Sequence, residues 1–186
     1  MAQDGDVDLP RLGTLRTLPA ADHPELLAPS VAAALASWTH AHRAAVAEID
    51  PDLADTAAFS EAYAVPLGAS ANCVLVAGKR DGQERIAACL VRADTRADVN
   101  GVVKRLLDVR KASFLPMDRA VEESGMEHGG INPVGLPPTW RLLVDARVTE
   151  VDVVLVGSGV RRSKLLLPGS TIASLPGAEV VDGLAG

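Results

Sequence analysis

Two apolar runs, Cys73–Ala77 and Arg85–Val91, flank an Asp81-Gly82 dipeptide. Runs of this length around Asp-Gly predict a β-hairpin with a two-residue turn. A turn on that dipeptide sets Val74 opposite Cys89 and Cys73 opposite Leu90. The two thiols then lie on opposite faces and cannot be bonded to each other. Both faces of the hairpin are apolar, which predicts a central position covered on both sides. Val99, Val102, Val103, Leu106 and Leu107 recur at helical spacing and predict a helix over 98–107. A second helix is predicted over Met117–Ser124, closed by Gly125. Further strands are expected over Ala44–Ile49, Leu142–Val144, Val151–Val156 and Lys164–Leu167, with a turn at Gly157-Ser158-Gly159. The Ala-rich stretch Ser30–Trp38 predicts a helix. Short helical turns are expected at His23–Leu27 with Asp22 as cap, from Asp55 or Thr56 to Tyr63, and after a Ser170 or Thr171 cap. Residues 1–20, broken by Pro10, Gly13 and Pro19, read as a loosely held arm. Helices and strands mix without regular alternation, which predicts an α+β fold on a mixed sheet.

One stretch resists both periodicities. Gly125 to Pro138 holds four glycines and three prolines in fourteen residues. That density excludes a helix or a central strand, since Pro fixes φ and removes a donor. A long, rigid, nearly uncharged loop in mid-domain is more often functional than a passive connector. A tight structural crossover is the alternative.

The length of 186 residues suits one domain with a substantial core. Aromatics make up only 3%, so Ala, Val and Leu must fill that core. The net charge of −6 argues against a nucleic-acid binder when taken whole. The acidity, however, is N-terminal: residues 1–60 hold 3 Lys/Arg and 9 Asp/Glu. Residues 79–111 hold 9 Lys/Arg against 5 Asp/Glu, enough for a basic face that meets a polyanion. A mixed solvated surface is the alternative. The start has no charged-then-apolar signal pattern, and no apolar run is long enough to cross a bilayer. The expectation is a soluble cytoplasmic protein with reduced thiols.

Few motifs of known chemistry fit. No Cys/His spacing suits zinc. Val156-Gly157-Ser158-Gly159-Val160 lacks the first glycine of a nucleophile elbow. Gly157 to Lys164 lacks the second glycine of a phosphate loop. The cations Arg161, Arg162 and Lys164 there could still hold a phosphate, although a charged hairpin end explains them as well. Asn72 opens an apolar strand on the side of Val74 and Val76, either as punctuation or as a site residue facing a cleft.

The ordered set Ser70-Ala71-Asn72-Cys73-Val74-Leu75-Val76, Phe114-Leu115-Pro116-Met117, Ser124-Gly125-Met126, Gly129-Gly130-Ile131-Asn132-Pro133-Val134-Gly135 and Val156-Gly157-Ser158-Gly159 resembles the YbaK family. That family is the editing domain related to the insertion domain of bacterial prolyl-tRNA synthetase. The resemblance covers about residues 45–183, and its most specific element is the G-x-x-x-P loop, Gly129–Pro133. It implies a highly twisted mixed β-sheet surrounded by helices, with residues 1–44 as an added arm and helical segment and 45–186 as the editing domain, compact as a whole. It implies hydrolysis of the ester between a wrong amino acid and the tRNA 3′ end, acting in trans. Mischarged tRNA is the implied partner, with an aminoacyl-tRNA synthetase as a further candidate. No metal or cofactor is implied.

On this resemblance Asn72 orients the substrate, and the backbone of Gly129, Gly130 and Pro133 receives the ester. Ile131 and Asn132, with Ser158, Gly159 and Arg161 as the opposite wall, bind the aminoacyl group. Backbone donors in a rigid loop suit this chemistry, because they stabilise negative charge on an attacked carbonyl. Lys104, Arg105, Arg110, Lys111, Arg162 and Lys164 are the candidate tRNA contacts. The family usually carries a lysine at the position of Asn72; Lys79 and Lys164 are the nearest candidates to replace it. A relative that only binds tRNA or an aminoacyl compound is the alternative function.

Overall fold

The computed structural model describes residues 9–186. The elements in chain order are β1 (Thr17–Pro19), α1 (Pro29–Ser37), β2 (Ala45–Glu48), α2 (Thr56–Tyr63), β3 (Ala71–Arg80) and β4 (Gln83–Arg92). There follow α3 (Lys104–Leu107), β5 (Ala112–Phe114), α4 (Met117–Ser124), β6 (Arg141–Asp145), α5 (Ala146–Thr149), β7 (Val153–Gly157), β8 (Ser163–Pro168), α6 (Gly169–Ile172) and β9 (Ala178–Val181).

The strands form two sheets, ordered β1-β2-β8-β7 and β5-β3-β4-β6-β9. The four-stranded sheet is antiparallel throughout. In the five-stranded sheet β6 runs parallel to both β4 and β9. A single parallel bridge between Ser70 and Leu155 joins the sheets where β3 begins and β7 passes. The fold is the α+β class expected from the sequence.

The hairpin β3–β4 has the expected register, Val74 opposite Cys89 and Cys73 opposite Leu90. Asp81 and Gly82 both have positive φ, 52° and 77°. That pair is what a two-residue turn matching the strand twist requires. Leu75, Ala77, Ala88 and Leu90 face a main core shared with Val31 and Leu35 of α1, while Val76, Ala87, Cys89 and Val91 face a second core under Val99–Leu107. The thiols therefore lie on opposite faces, Cys89 buried and Cys73 half-buried. A third core, with Phe59 of α2 and Ala45, Ala47 and Leu166, covers the far side of the four-stranded sheet.

Several local expectations are corrected. The arm is held down from residue 9 onward: Leu15 is buried, and β1 pairs with β2 from Thr17–Ala47 to Pro19–Ala45. Residues 1–8 lie outside the described residues. Asp22 caps nothing; it ends a 3-10 turn, Ala20–Asp22, and His23 precedes the next turn, Pro24–Leu26. Ser170 and Thr171 lie inside α6, which Pro168 precedes. The three-residue strands β1 and β5 and the edge strand β9 carry too few apolar positions to show a period. Asp98 caps the 99–107 segment, accepting from the N–H groups of Gly101 and Val102 at 2.9 and 3.1 Å. Its first turn, Val99–Val103, is π-helical before α3 follows. Among the described residues no helix is long and apolar enough to cross a membrane.

Candidate functional site

A cleft of about 160 Å³ opens where the two sheets meet. Asn72 and Cys73 from β3, Gly157 from β7, Lys164 from β8, Thr56 from the start of α2, and Gly129 and Ile131 from the glycine loop reach it together. The bridge at Ser70 brings β3 beside β7, and the pairing of β7 with β8 sets Gly157 opposite Lys164.

Lys164 is the charged centre of the cleft. It lies on the face of β8 that carries Leu166 toward α2, and it is only 7% exposed. Its Nζ donates to the Ala54 carbonyl at 3.0 Å and sits 5.5 Å from the Phe59 ring centroid. Its pKa is lowered to about 8, by burial first and by the neighbouring Arg161 second, with Asp55 partly opposing both. An ammonium has three donors, so the Ala54 bond leaves two for a ligand. The sequence offered Lys164 both as a tRNA contact and as a candidate to replace the family lysine; its burial removes it from the first set and puts it in the cleft.

The other polar groups lie around it. Asn72 is exposed at the rim, and its Oδ1 accepts from Thr56 Oγ1 at 3.2 Å. Ser70 is 3% exposed, lines the cleft, and its Oγ has no hydrogen-bond partner among the described residues. The Cys73 thiol is held well above its ordinary pKa by burial first and by Cys89 second, which favours the neutral thiol.

The glycine loop divides its residues among three tasks. Gly129, with φ of +80°, and Ile131 line the cleft. Among the described residues the N–H groups of Gly129 and Ile131 meet no acceptor. Gly130 does not donate to the cleft: its N–H bonds Glu127 O at 2.9 Å and its carbonyl accepts from Gly159 N–H at 2.8 Å. Here the loop crosses the β7–β8 turn, backbone on backbone. A Cβ on Gly157 would lie 2.2 Å from Gly130 O, and one on Gly130 would lie 2.8 Å from Gly159 C. These glycines admit a neighbouring chain segment rather than a ligand.

Asn132 is fully buried; its Oδ1 accepts from Val134 N–H at 2.8 Å and its Nδ2 faces Met126 Sδ at 3.5 Å. It closes the loop, with its side chain engaged there. Pro133 lines a separate apolar cleft of about 260 Å³ with Trp38 and Trp140. Ser158 and Gly159 are also outside the wall the sequence assigned them. Ser158 Oγ is buried against Ser163 Oγ at 2.7 Å, and Gly159 packs on Ala28. Arg161 stands at the rim, its guanidinium donating to His128 O and Pro51 O, each at 3.2 Å.

Of the tRNA candidates, Arg105, Arg110, Lys111 and Arg162 are exposed and Lys104 is half-buried. Arg162 is tied back to the Glu25 carbonyl. Arg110 and Lys111 lead into β5, whose Ala112 pairs with Gly78, six positions along β3 from Asn72. At roughly 3.3 Å per strand residue that is about 20 Å from the cleft mouth.

Ser70, Thr56, Asp55 and Phe59 are the cleft residues that sequence reasoning did not single out. The one signal was the pairing of a helix start, Asp55-Thr56, with a polar residue opening a buried strand, Asn72.

The profile of the aminoacyl-tRNA editing domain matches residues 50–174, and the chain belongs to that family. No curated protein matches the chain. Among solved structures, a candidate trans-editing enzyme for prolyl-tRNA synthetase superposes with a TM-score of 0.71 at 21% identity, over 83% of this chain and 94% of that one. The hypothetical protein APE2540 superposes with a TM-score of 0.63 at 23% identity, over 72% of this chain and 85% of that one. A scaffold used to present a grafted linear epitope reaches 0.70 at 21%, over 84% and 97%. These likenesses establish the fold.

Proposed function

We propose that this protein is a trans-acting editing hydrolase that removes the amino acid from a mischarged tRNA. The observation that carries this reading is the buried Lys164 ammonium in a small cleft beside two unpartnered backbone donors, Gly129 and Ile131. An aminoacyl ester entering there meets donors for its carbonyl oxygen. As water attacks, negative charge develops on that oxygen, and fixed donors in a dry site stabilise it far better than solvent does. The carbon–oxygen bond to the terminal ribose then breaks, the ribose oxygen takes a proton, and the free amino acid leaves. The cleft offers no activated serine or thiolate, so the nucleophile is water or a substrate hydroxyl. Asn72 and Ser70 are placed to orient the aminoacyl group.

Lys164 also bears on the missing family lysine. Asn72 carries no charge, but Lys164 brings an ammonium into the same cleft from β8, across from β3. The site thus keeps a cation with a different origin in the chain. On this reading the protein works with the translation machinery in the cytoplasm, alone or beside a synthetase. Lys104, Arg105, Arg110 and Lys111 supply the electrostatic attraction to tRNA, and Arg161 guards the mouth.

The test is single-turnover deacylation across a panel of mischarged tRNAs, with wild type and Lys164→Met. Hydrolysis of at least one pair, lost in the variant, supports the reading. Tight tRNA binding with no hydrolysis of any pair favours the binding-only relative, which the neutral Asn72 at the rim already suggests.

A further inference from the structure

Phe114 is one of only five aromatic residues in the chain, and it is 65% exposed. Met117, three residues on, is 51% exposed. Phe114 ends β5, the edge strand of the five-stranded sheet, and pairs with Val76. Directly paired residues share a face, so Phe114 lies on the side of β3 that carries Asn72, Val74 and Val76. From Asn72 at the cleft mouth to Val76 is four strand positions, about 13 Å, and Phe114 is one strand further out. Between them Val74 is half-buried, while Val76 is covered by the second core.

The charges around Phe114 are arranged for an anion. Arg110 and Lys111 immediately precede β5, Lys111 and Lys79 line a shallow pocket with Phe114, and Lys104 and Arg105 lie on α3, which packs on the Val76 face of β3. Their neighbours are neutralised: Arg80 and Arg85 bind Asp108, and Arg119 binds Glu84 and Glu123. Lys104, Arg105, Arg110 and Lys111 enter no ion pair among the described residues. Asp118 and Glu122, one turn apart on α4, are nearby carboxylates without such a partner among the described residues. An exposed aromatic face bordered by free cations is the arrangement that binds single-stranded nucleic acid, the ring stacking on a base and the cations meeting phosphates.

We propose that Phe114 is the stacking platform for an unpaired base near the 3′ end of the tRNA, holding the strand so that its terminal ester reaches the cleft. This inference rests on the editing reading above. It assigns a positioning role to a residue that touches neither the ester nor the cleft.

The experiment compares an uncharged tRNA with the same RNA trimmed of its unpaired 3′ nucleotides, against wild type, Phe114→Ala and Phe114→Trp, by equilibrium binding at fixed salt. Melting curves check that each variant is folded. Wild type should bind the trimmed RNA about ten- to a hundredfold more weakly, the loss that removal of one base–aromatic stack causes. Phe114→Ala should bind intact RNA as weakly as trimmed RNA, and Phe114→Trp should bind like wild type. If Phe114→Ala matches wild type on intact RNA, or if wild type does not distinguish the two RNAs, the stacking role is refuted while the editing reading stands. If Phe114→Ala instead abolishes self-association in sedimentation and leaves RNA affinity unchanged, the ring belongs to a protein contact and the proposal fails. If wild type binds no tRNA even at low salt, both this inference and the tRNA reading fall.

Discussion

Replacing Lys164 by Met should stabilise the protein and slow deacylation by about 10²–10³. The ammonium is 7% exposed and its pKa is lowered to about 8 from the ordinary 10.5. A shift of that size, at 1.36 kcal/mol per unit, means that holding Lys164 charged in the fold costs roughly 3 kcal/mol at neutral pH. Methionine has a similar length and no charge. It forfeits the bond to the Ala54 carbonyl, and leaving that acceptor unpaired costs about 1–3 kcal/mol. The balance at neutral pH is a gain of up to about 2 kcal/mol for the variant.

The pH dependence separates the two contributions. The pKa of Lys164 is depressed in the folded state, so between about pH 8 and 10.5 the unfolded chain holds more protons than the folded one. Wild-type stability therefore rises with pH through that window. The advantage of Lys164→Met should be largest at pH 7 and shrink by about 2 kcal/mol by about pH 9.5. Urea unfolding of both proteins at several pH values measures this directly, and deacylation measured in parallel should fall by the 10²–10³ typical of losing one oxyanion donor. A variant less stable than wild type by a pH-independent amount would show that Lys164 is not a strained cation. A folded variant with full activity would remove it from the chemistry.

Three further outcomes follow from the loop and the basic face. Gly130→Ala puts a Cβ 2.8 Å from backbone atoms of Gly159 and Val160, so it should lower stability by about 1–3 kcal/mol and shift Gly129 and Ile131 enough to slow deacylation; unchanged melting would mean that the crossing relaxes freely. Asn132→Ala leaves the Val134 N–H without its partner in a buried loop and should cost about 1–3 kcal/mol. A variant as stable as wild type in urea would show that the loop does not depend on this side chain. Replacing Lys104, Arg105, Arg110 and Lys111 together by Ala should weaken tRNA binding and flatten its salt dependence, because fewer counterions are released; an unchanged slope across salt concentrations would move the binding face elsewhere.

The sequence alone determined those features whose causes are local. Asp81-Gly82 carries its own turn geometry, so the hairpin register and the opposite facing of Cys73 and Cys89 followed without knowledge of any distant residue. The same holds for Gly125 as a helix end. The ordered motifs around Gly129–Pro133 likewise pointed to the family and its fold. What the tertiary structure decided was the use of each candidate residue. Lys164 reads as one of three cations at a hairpin end and, with Lys79, as one of two candidates for the missing family lysine. It became the buried centre of the cleft because α2, about a hundred residues earlier, covers that face of β8. Gly130, Gly157 and Gly159 read as room for a ligand. Gly130 and Gly157 make room for the loop to cross the β7–β8 turn at backbone contact, and Gly159 makes room for Ala28. Asn132 and Ser158 look like site residues by type, yet each is consumed by buried hydrogen bonds within its own loop. A residue's chemistry is written in its side chain, but whether that side chain meets solvent, substrate or another segment depends on contacts between parts of the chain far apart in sequence. No local pattern encodes those contacts.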